Sequence, residues 1–396
     1  MAGQIGVVPL EISETRTLSL EWVQNAPEAI AEQLGRELQE GGCAAVICNT
    51  VGRAQEMFRA LYTARIVPEE DLILFHARFP LGWRDTIEKK VLDRFGKDGD
   101  RPHKAVVVAT QVIEQSLDLD FDLMLSDLAP ADLLLQRAGR LHRHDRAVRP
   151  AALNAPRLLV TDPVVENGVP VFDRSDTYVY EPYVLLRSYL ALRPQDRLVL
   201  PQDTAPLIEA VYGEEELPET SLTPALLDAL SKAKQRMEEH EATHVFKART
   251  KLIASPQADN LLSKSNLGLA EDSPEAHEAF QALTRLGPPS ISLVCLHRVG
   301  DVLNTEPDGT GTAVDLSQPP HPALTQALVQ ASLGVTHWGI VEHFREQEAP
   351  SGWREHPLLR QYRAAIFEEG VCSLEDTPYT LRLTRLFGLE VVKTTD

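Results

Sequence analysis

Residues 105–149 read AVVVATQVIEQSLDLDFDLMLSDLAPADLLLQRAGRLHRHDRAVR, and the alternation of textures within them decides the fold. Positions 105–109 are apolar and rich in valine, as a strand buried on both faces requires. A polar loop from Thr110 to Asp118 follows, then a second apolar run at 121–125 that ends in Ser126 and Asp127. Pro130 stands where a helix can begin, and Leu133, Leu134 and Leu135 lead into Gln136-Arg137-Ala138-Gly139-Arg140-Leu141-His142-Arg143. Strand, polar loop, strand, loop, helix is the unit of an open parallel sheet, in which chemistry gathers beyond the carboxyl ends of the strands.

The arginines carry the chemical signal. Arg137, Arg140, Arg143, Arg146 and Arg149 recur every third residue, with Asp145 the sole acid between them. On a helix, Arg140 and Arg143 share one side, and two planar, always-charged forks suit a polyphosphate. Gly139 keeps the backbone open for close approach to a ligand. The plainer alternative, a solvated basic face, does not account for the polar loop on the neighbouring strand end.

These residues resemble a known family. TQVIEQSLDLDFDLMLSDLAP looks like motif V of a superfamily 2 helicase and QRAGRLHR like its motif VI. The nearly unbroken run VATQVIEQSLDLDFDLMLSDLAPADLLLQRAGRLHRH is similar to the CRISPR-associated helicase–nuclease of type I systems, most specifically over residues 40–145. The resemblance implies ATP and Mg²⁺, held mostly by a first RecA-like lobe, and single-stranded DNA as the track. It implies as partners that upstream lobe, a nuclease domain and an RNA-guided surveillance complex. By resemblance, Arg140 and Arg143 face the γ-phosphate as arginine fingers, and Gln136 orients them or the attacking water. Asp118, with Gly139, belongs to the nucleotide side, touching the ribose or relaying the lobe's position. Thr110 and Gln111 hold DNA phosphates, and turnover steps the lobe along one strand, 3′ to 5′ in the family.

Composition narrows the remaining classes. The 396 residues suffice for two or three domains with real cores. A formal net charge of −19 excludes a protein that coats nucleic acid by bulk charge, so any DNA contact is a local track. Four cysteines, with Cys43 and Cys48 lacking a companion pair, read as buried thiols of a cytoplasmic protein. No apolar run approaches the ~18 residues of a membrane span, and the N-terminus has no signal pattern.

Along the chain, residues 1–25 read as a linker entering a domain, although 17–23 could form a strand. A helix over 28–39 shows Ile30, Leu34 and Leu38 at helical spacing, and Gly41-Gly42 ends it. The strand at 44–48 delivers Asn49 and Thr50 to its carboxyl end. By resemblance Thr50 meets a DNA phosphate; equally it caps the following helix at 56–64, and both can hold. The strand at 72–75 is followed by His76 and Arg78, a position that by resemblance helps hold the single strand, with Arg78 the better candidate of the two. A helix at 83–95, with Ile87, Val91, Leu92 and Phe95 inward, and a closing strand at 157–160 complete a RecA-like α/β sheet with flanking helices.

Further on, short segments at 169–171 and 178–183, helices at 183–192 and 207–212, and acidic Glu214, Glu215 and Glu216 read as lobe completion. Residues 223–251 form one long charged connector helix, and 255–275 a loop. The domain organisation expected is a linker over 1–25, a second RecA-like lobe over 26–221, connector helix and loop over 222–283, and a small α+β domain over 284–396. That last part holds a strand at 290–296, a helix at 323–332 and a final strand pair at 379–385 and 389–393.

Two motifs read as decoys. His240-Glu241-Ala242-Thr243-His244 spells a zinc-protease signature on a helix, but the helix is highly charged and the metzincin continuation is absent. His144-Asp145 lacks the partner ligands of an HD phosphohydrolase. Nowhere in 1–396 is there a G-x-x-x-x-G-K-[ST] loop or an acidic box after an apolar strand. The chain is therefore expected to be the C-terminal half of the protein, or a separately encoded piece of it, idle without its first lobe. Other readings are a lobe of another superfamily 2 helicase, from which residues 284–396 distinguish it, and a catalytically idle docking module, in which paired Arg140 and Arg143 would have no use.

Overall fold

The computed structural model describes residues 15–114, 117–214, 222–250 and 289–393. The expected loop at 255–275, the acidic Glu215 and Glu216, and residues 1–14 of the expected linker lie outside the described residues.

The centre is a seven-stranded sheet in the order β3-β4-β2-β5-β6-β1-β9. From the β3 edge inward, β3 (Leu72–Phe75), β4 (Lys104–Ala109), β2 (Gly42–Ile47), β5 (Leu123–Ser126) and β6 (Arg157–Asp162) are all parallel to their neighbours. Sequences such as GCAAVI and LILF carry no solvent face because helices cover both sides. Alternate residues divide between two cores. Ala44, Val46 and Cys48 face α1 (Pro27–Glu37) and α2 (Val51–Ala64), whereas Cys43, Ala45 and Ile47 face α3 (Leu81–Phe95) and α4 (Ala131–Ala138). All four cysteines are buried free thiols.

Three expectations are corrected here. Residues 16–24 of the expected linker form β1 (Arg16–Gln24), parallel to β6 and antiparallel to β9 (Arg197–Leu200). Leu18 and Leu20 enter the core, so β6 does not close the sheet. Strand β9 escaped notice because RLVL is four residues long and set between Pro194 and Pro201. Third, α4 stops at Ala138, so Arg140 and Arg143 do not share a helix side. Past the Gly139 C-cap the chain turns to form a bridge between Phe121 and Leu141. Phe121 N–H donates to the Arg140 carbonyl and His142 N–H to the Phe121 carbonyl, both at 3.0 Å.

Beyond β6 come the hairpin β7 (Val164–Glu166) and β8 (Val169–Val171), then α5 (Arg174–Val179), α6 (Pro182–Leu192) and α7 (Thr204–Tyr212). The segment expected at 178–183 is thus divided between two helices. Helix α8 (Pro224–Thr250) is the long polar helix foreseen, and it packs on α6.

The C-terminal part is β-rich. A five-stranded sheet is built on β10 (Ile291–Val299), with β11 (Val302–Asn304), β12 (Ala313–Val314), β13 (Ser332–Val335) and β14 (Tyr362–Phe367). A second sheet is β15 (Val371–Ser373), β16 (Tyr379–Thr384) and β17 (Gly388–Lys393). This part does not hang on a tether. Leu381, Leu383, Leu389 and Phe367 share one core with Met57, Phe58 and Leu74 of the lobe. Hydrogen bonds pin the seam: Leu389 N–H to the Arg78 carbonyl at 2.7 Å, and Gln55 Nε2 to the Phe387 carbonyl at 2.8 Å. Trp83 Nε1 donates to Glu306 at 3.0 Å, and the Arg385 guanidinium covers the Trp83 ring while pairing with Glu306 at 2.6 Å.

Candidate functional site

The parallel strands place polar residues on one edge. Thr50, after β2, caps α2 by accepting from Arg53 N–H at 3.3 Å, so its capping role is realised. Thr110, after β4, donates its N–H to the Phe75 carbonyl at the end of β3, which joins it to the His76–Arg78 corner. Gln111 reaches sideways, its Nε2 donating to the Asn49 carbonyl at 2.9 Å and to Tyr180 Oη at 3.1 Å. His76 is fully buried. Burial, and then the Arg78 charge, lower its pKa to about 3, so it is neutral. Its Nδ1 accepts from Arg78 N–H and its Nε2–H donates to the Phe387 carbonyl, both at 3.1 Å. The Arg78 side chain, half-buried, makes no hydrogen bond or ion pair among the described residues. Thr50, Arg78, Thr110 and Gln111 thus lie along one rim.

The nucleotide-side candidates form a second group, reached from the first by the short helical turn Gln111–Glu114. Arg140 is 8% exposed. Its Nη2 donates to the Glu114 carbonyl at 2.6 Å and its Nη1 to the Gln136 carbonyl at 3.2 Å, while its Nε has no partner among the described residues. No carboxylate pairs with it among the described residues, and burial followed by the nearby Arg143 charge lowers its pKa. Arg143 is half-exposed and donates Nε to Asp118 Oδ1 at 2.6 Å; His144 Nε2 lies 3.2 Å from the other Asp118 oxygen. Gln136 is exposed, with its amide unbonded among the described residues. Gly139 is right-handed at φ −62°, so its backbone does not require glycine; an added Cβ would come within 3.2 Å of the Gln136 carbonyl.

The regular arginine spacing hides two different fates. Arg146 and Arg149 turn inward to the buried Asp120 and Asp122, where Arg101 joins them. Five cations therefore do not face solvent or ligand with Asp145 alone to offset them. Arg137 is fully buried, pairing with Glu114 at 2.7 Å and donating to Ser126 Oγ at 2.7 Å and Tyr180 Oη at 3.3 Å. From sequence Arg137 stands only as one of the arginine series and Glu114 has no role, although both lie inside the motifs. Glu114 is gripped by both arginines, by its carboxylate and by its carbonyl, and so joins the rim to the arginine pair.

Sequence reasoning also passed over Asp127 at the end of β5. It accepts from Asn49 N–H at 3.0 Å, and burial raises its carboxyl to about 6 against the opposing Arg53 charge. It lines a cavity of about 60 Å³ with Arg53, Thr161 and Asp176. Of the zinc-like pair, His240 Nδ1 lies 2.7 Å from Glu181 and its ring 4.2 Å from that of His244, on an exposed surface. Among the described residues no three His, Cys, Asp or Glu side chains are grouped to hold a metal. No helix of the described residues is long and apolar enough to cross a membrane.

Residues 40–146 match the family described as CRISPR-associated nuclease/helicase Cas3, C-terminal, and residues 285–389 match the Cas3 C-terminal domain. The CRISPR-associated endonuclease/helicase Cas3 of Thermus thermophilus is 35% identical over 382 residues, covering 85% of this chain and 40% of the relative. The crystal structure of T. fusca Cas3-AMPPNP superposes with a TM-score of 0.78 at 31% identity, over 97% of this chain and 43% of that one. A chain of a CRISPR RNA-guided surveillance complex, pre-nicking, gives a TM-score of 0.71 at 29% identity, over 97% of this chain and 45% of that one. The chain spans about two fifths of the length of these relatives.

Proposed function

Because the chain belongs to the Cas3 family of CRISPR-associated helicase–nucleases, whose C-terminal half it matches, we propose that it supplies the second half of an ATP site and part of the single-strand track of a DNA translocase. The translocase acts, in this reading, in the cytoplasm during CRISPR interference, unwinding and degrading foreign DNA with an upstream lobe, a nuclease domain and a surveillance complex. The similarity to a chain of a CRISPR RNA-guided surveillance complex supports the last partner, and that to T. fusca Cas3-AMPPNP supports the nucleotide.

The observation that carries the reading is Arg140. A buried guanidinium with an orphaned Nε and no carboxylate fits an anion as its missing partner. Arg143 is the second donor. Its exposed pair with Asp118 is worth at most about 1 kcal/mol, so exchange of that carboxylate for a phosphate is cheap. Gln136 and Gly139 border the same place, and Asp118, once released, is free for a ribose hydroxyl. ATP with Mg²⁺ supplies the hydrolysable phosphate, and the upstream lobe holds most of both.

The rim is the second half of the mechanism. Thr50, Thr110, Gln111 and Arg78 bind strand phosphates by hydroxyl, amide and guanidinium. Any shift of Arg140 pulls the Glu114 carbonyl, and the short turn transmits that pull to Gln111 and Thr110. The C-terminal sheets ride with the lobe, because one core runs through both.

The test is single-strand-stimulated ATP hydrolysis after mixing this chain with the upstream half. Wild type restores turnover, Arg140→Ala lowers it by roughly 10³-fold or more, and neither chain hydrolyses ATP alone. Equal rates for wild type and Arg140→Ala would return the chain to the docking-module reading.

A further inference from the structure

Where β3 ends, the seam between the lobe and the C-terminal sheets carries a positive charge that no acid of the described residues pairs, unlike its Arg59–Glu390 and Arg385–Glu306 stretches. Arg78 leaves the end of β3 there, unpaired, with its backbone carbonyl bonded to β17. Burial alone lowers its pKa, with no carboxylate acting on it. Across the seam stands His337, whose Nδ1 is buried without a partner. Burial and the Arg78 charge act on it, and again no carboxylate does. In a chain of net charge −19, two basic groups that no acid of the described residues acts on are an electrostatic exception.

His337 opens the helix Trp338–Arg345 without giving it a side-chain cap. Trp338, the first residue of that helix, is 70% exposed, the most exposed tryptophan among the described residues. Its mount is rigid. The His337 ring meets the Tyr379 ring edge-on at 4.8 Å, and Gly339 lets Tyr379 approach so closely that an added Cβ would lie 2.5 Å from it. Ile340 and Val341, one turn in, are buried. An indole this exposed leaves most of its apolar surface in water, which a purely structural tryptophan would bury. The rim continues directly into this seam, because Thr110 bonds to Phe75, the strand end from which His76 and Arg78 depart.

We propose that Trp338 and Arg78 form a subsite for single-stranded nucleic acid, the indole stacking on a base while the guanidinium binds an adjoining phosphate. The subsite extends the rim assigned above and rests on that reading. A rigid aromatic platform beside an unpaired cation is the chemistry single strands select, because every base offers a π-face and every step a phosphate. The C-terminal part then reads the base side of the strand, and the lobe its backbone.

The experiment is binding of a labelled oligothymidine to the full chain at low salt, followed by anisotropy, and repeated with an abasic strand of equal length. Trp338→Ala weakens oligothymidine binding roughly five- to hundredfold, and Trp338→Phe stays close to wild type. The salt dependence is unchanged by either. On the abasic strand Trp338→Ala and wild type bind alike. Arg78→Ala weakens both strands and flattens the salt dependence by about 0.7 in log–log slope, one phosphate's worth. Trp338→Ala binding oligothymidine as well as wild type, or losing as much on the abasic strand, overturns the subsite while leaving the rim intact. Failure of wild type to bind either strand overturns subsite and rim together, and the ATP assignment answers separately to Arg140→Ala.

Discussion

Acid should loosen the seam through His76. The imidazole is fully buried, stacked on Phe79 at 4.5 Å, and uses Nδ1 as an acceptor for Arg78 N–H. Protonation puts a second donor on that bond, beside the Arg78 charge. With a folded pKa of about 3 against an ordinary 6.5, the folded state binds fewer protons than the unfolded one. The stabilisation is therefore complete above the unfolded pKa and is lost as pH falls towards the folded one. Between about pH 7.5 and pH 5 the unfolded ring becomes nearly fully charged while the folded one stays neutral, which removes about 2 kcal/mol. That is a large share of a typical stability of about 5–15 kcal/mol. His297, lowered to about 4, adds in the same direction, and Asp127, raised to about 6, opposes it, so the contribution of His76 must be read as a difference. His76→Gln keeps a donor for the Phe387 carbonyl and cannot titrate. In urea unfolding followed by circular dichroism, the gap between wild type and His76→Gln should shrink by about 2 kcal/mol from pH 7.5 to pH 5. A gap that is the same at both values would refute the neutral, buried assignment of His76.

Two further outcomes follow from the same geometry. Arg143→Ala should leave the melting temperature within about a degree or two, since its ion pair is exposed, yet lower ATP turnover of the reconstituted halves; Asp118→Asn should match it in stability. Gly388→Ala should destabilise the chain by at least about 1 kcal/mol in the same urea assay. The position has φ +65°, and a Cβ there would lie 2.6 Å from the Arg78 carbonyl and 2.9 Å from the His76 ring.

Much of this was legible in the chain. Apolar runs such as GCAAVI and KAVVVA announce strands with no solvent face, and their spacing with helical segments announces a parallel sheet. The motif order placed Thr110, Asp118 and Arg140 in one neighbourhood before any coordinate. Periodicity also revealed the helix over Pro224–Thr250 and the final strand pair, because those patterns are local.

Tertiary structure alone decided what each arginine does. Arg137, Arg140, Arg143, Arg146 and Arg149 are equivalent in spacing, but partners 10 to 50 residues away sort them into a buried strut, an orphaned anion donor, an exchangeable pair and two clamps on Asp120 and Asp122. The early end of α4 is of the same kind, since a bridge to Phe121 outcompetes another helical turn. So is β1, whose pairing with β6 joins residues far apart in sequence. The seam that holds Arg78 and His76 against Phe387 and Leu389 had no signature at all. It forms because Gly388 has no side chain and lets β17 reach the carbonyl of Arg78, a contact between distant residues that no local pattern encodes.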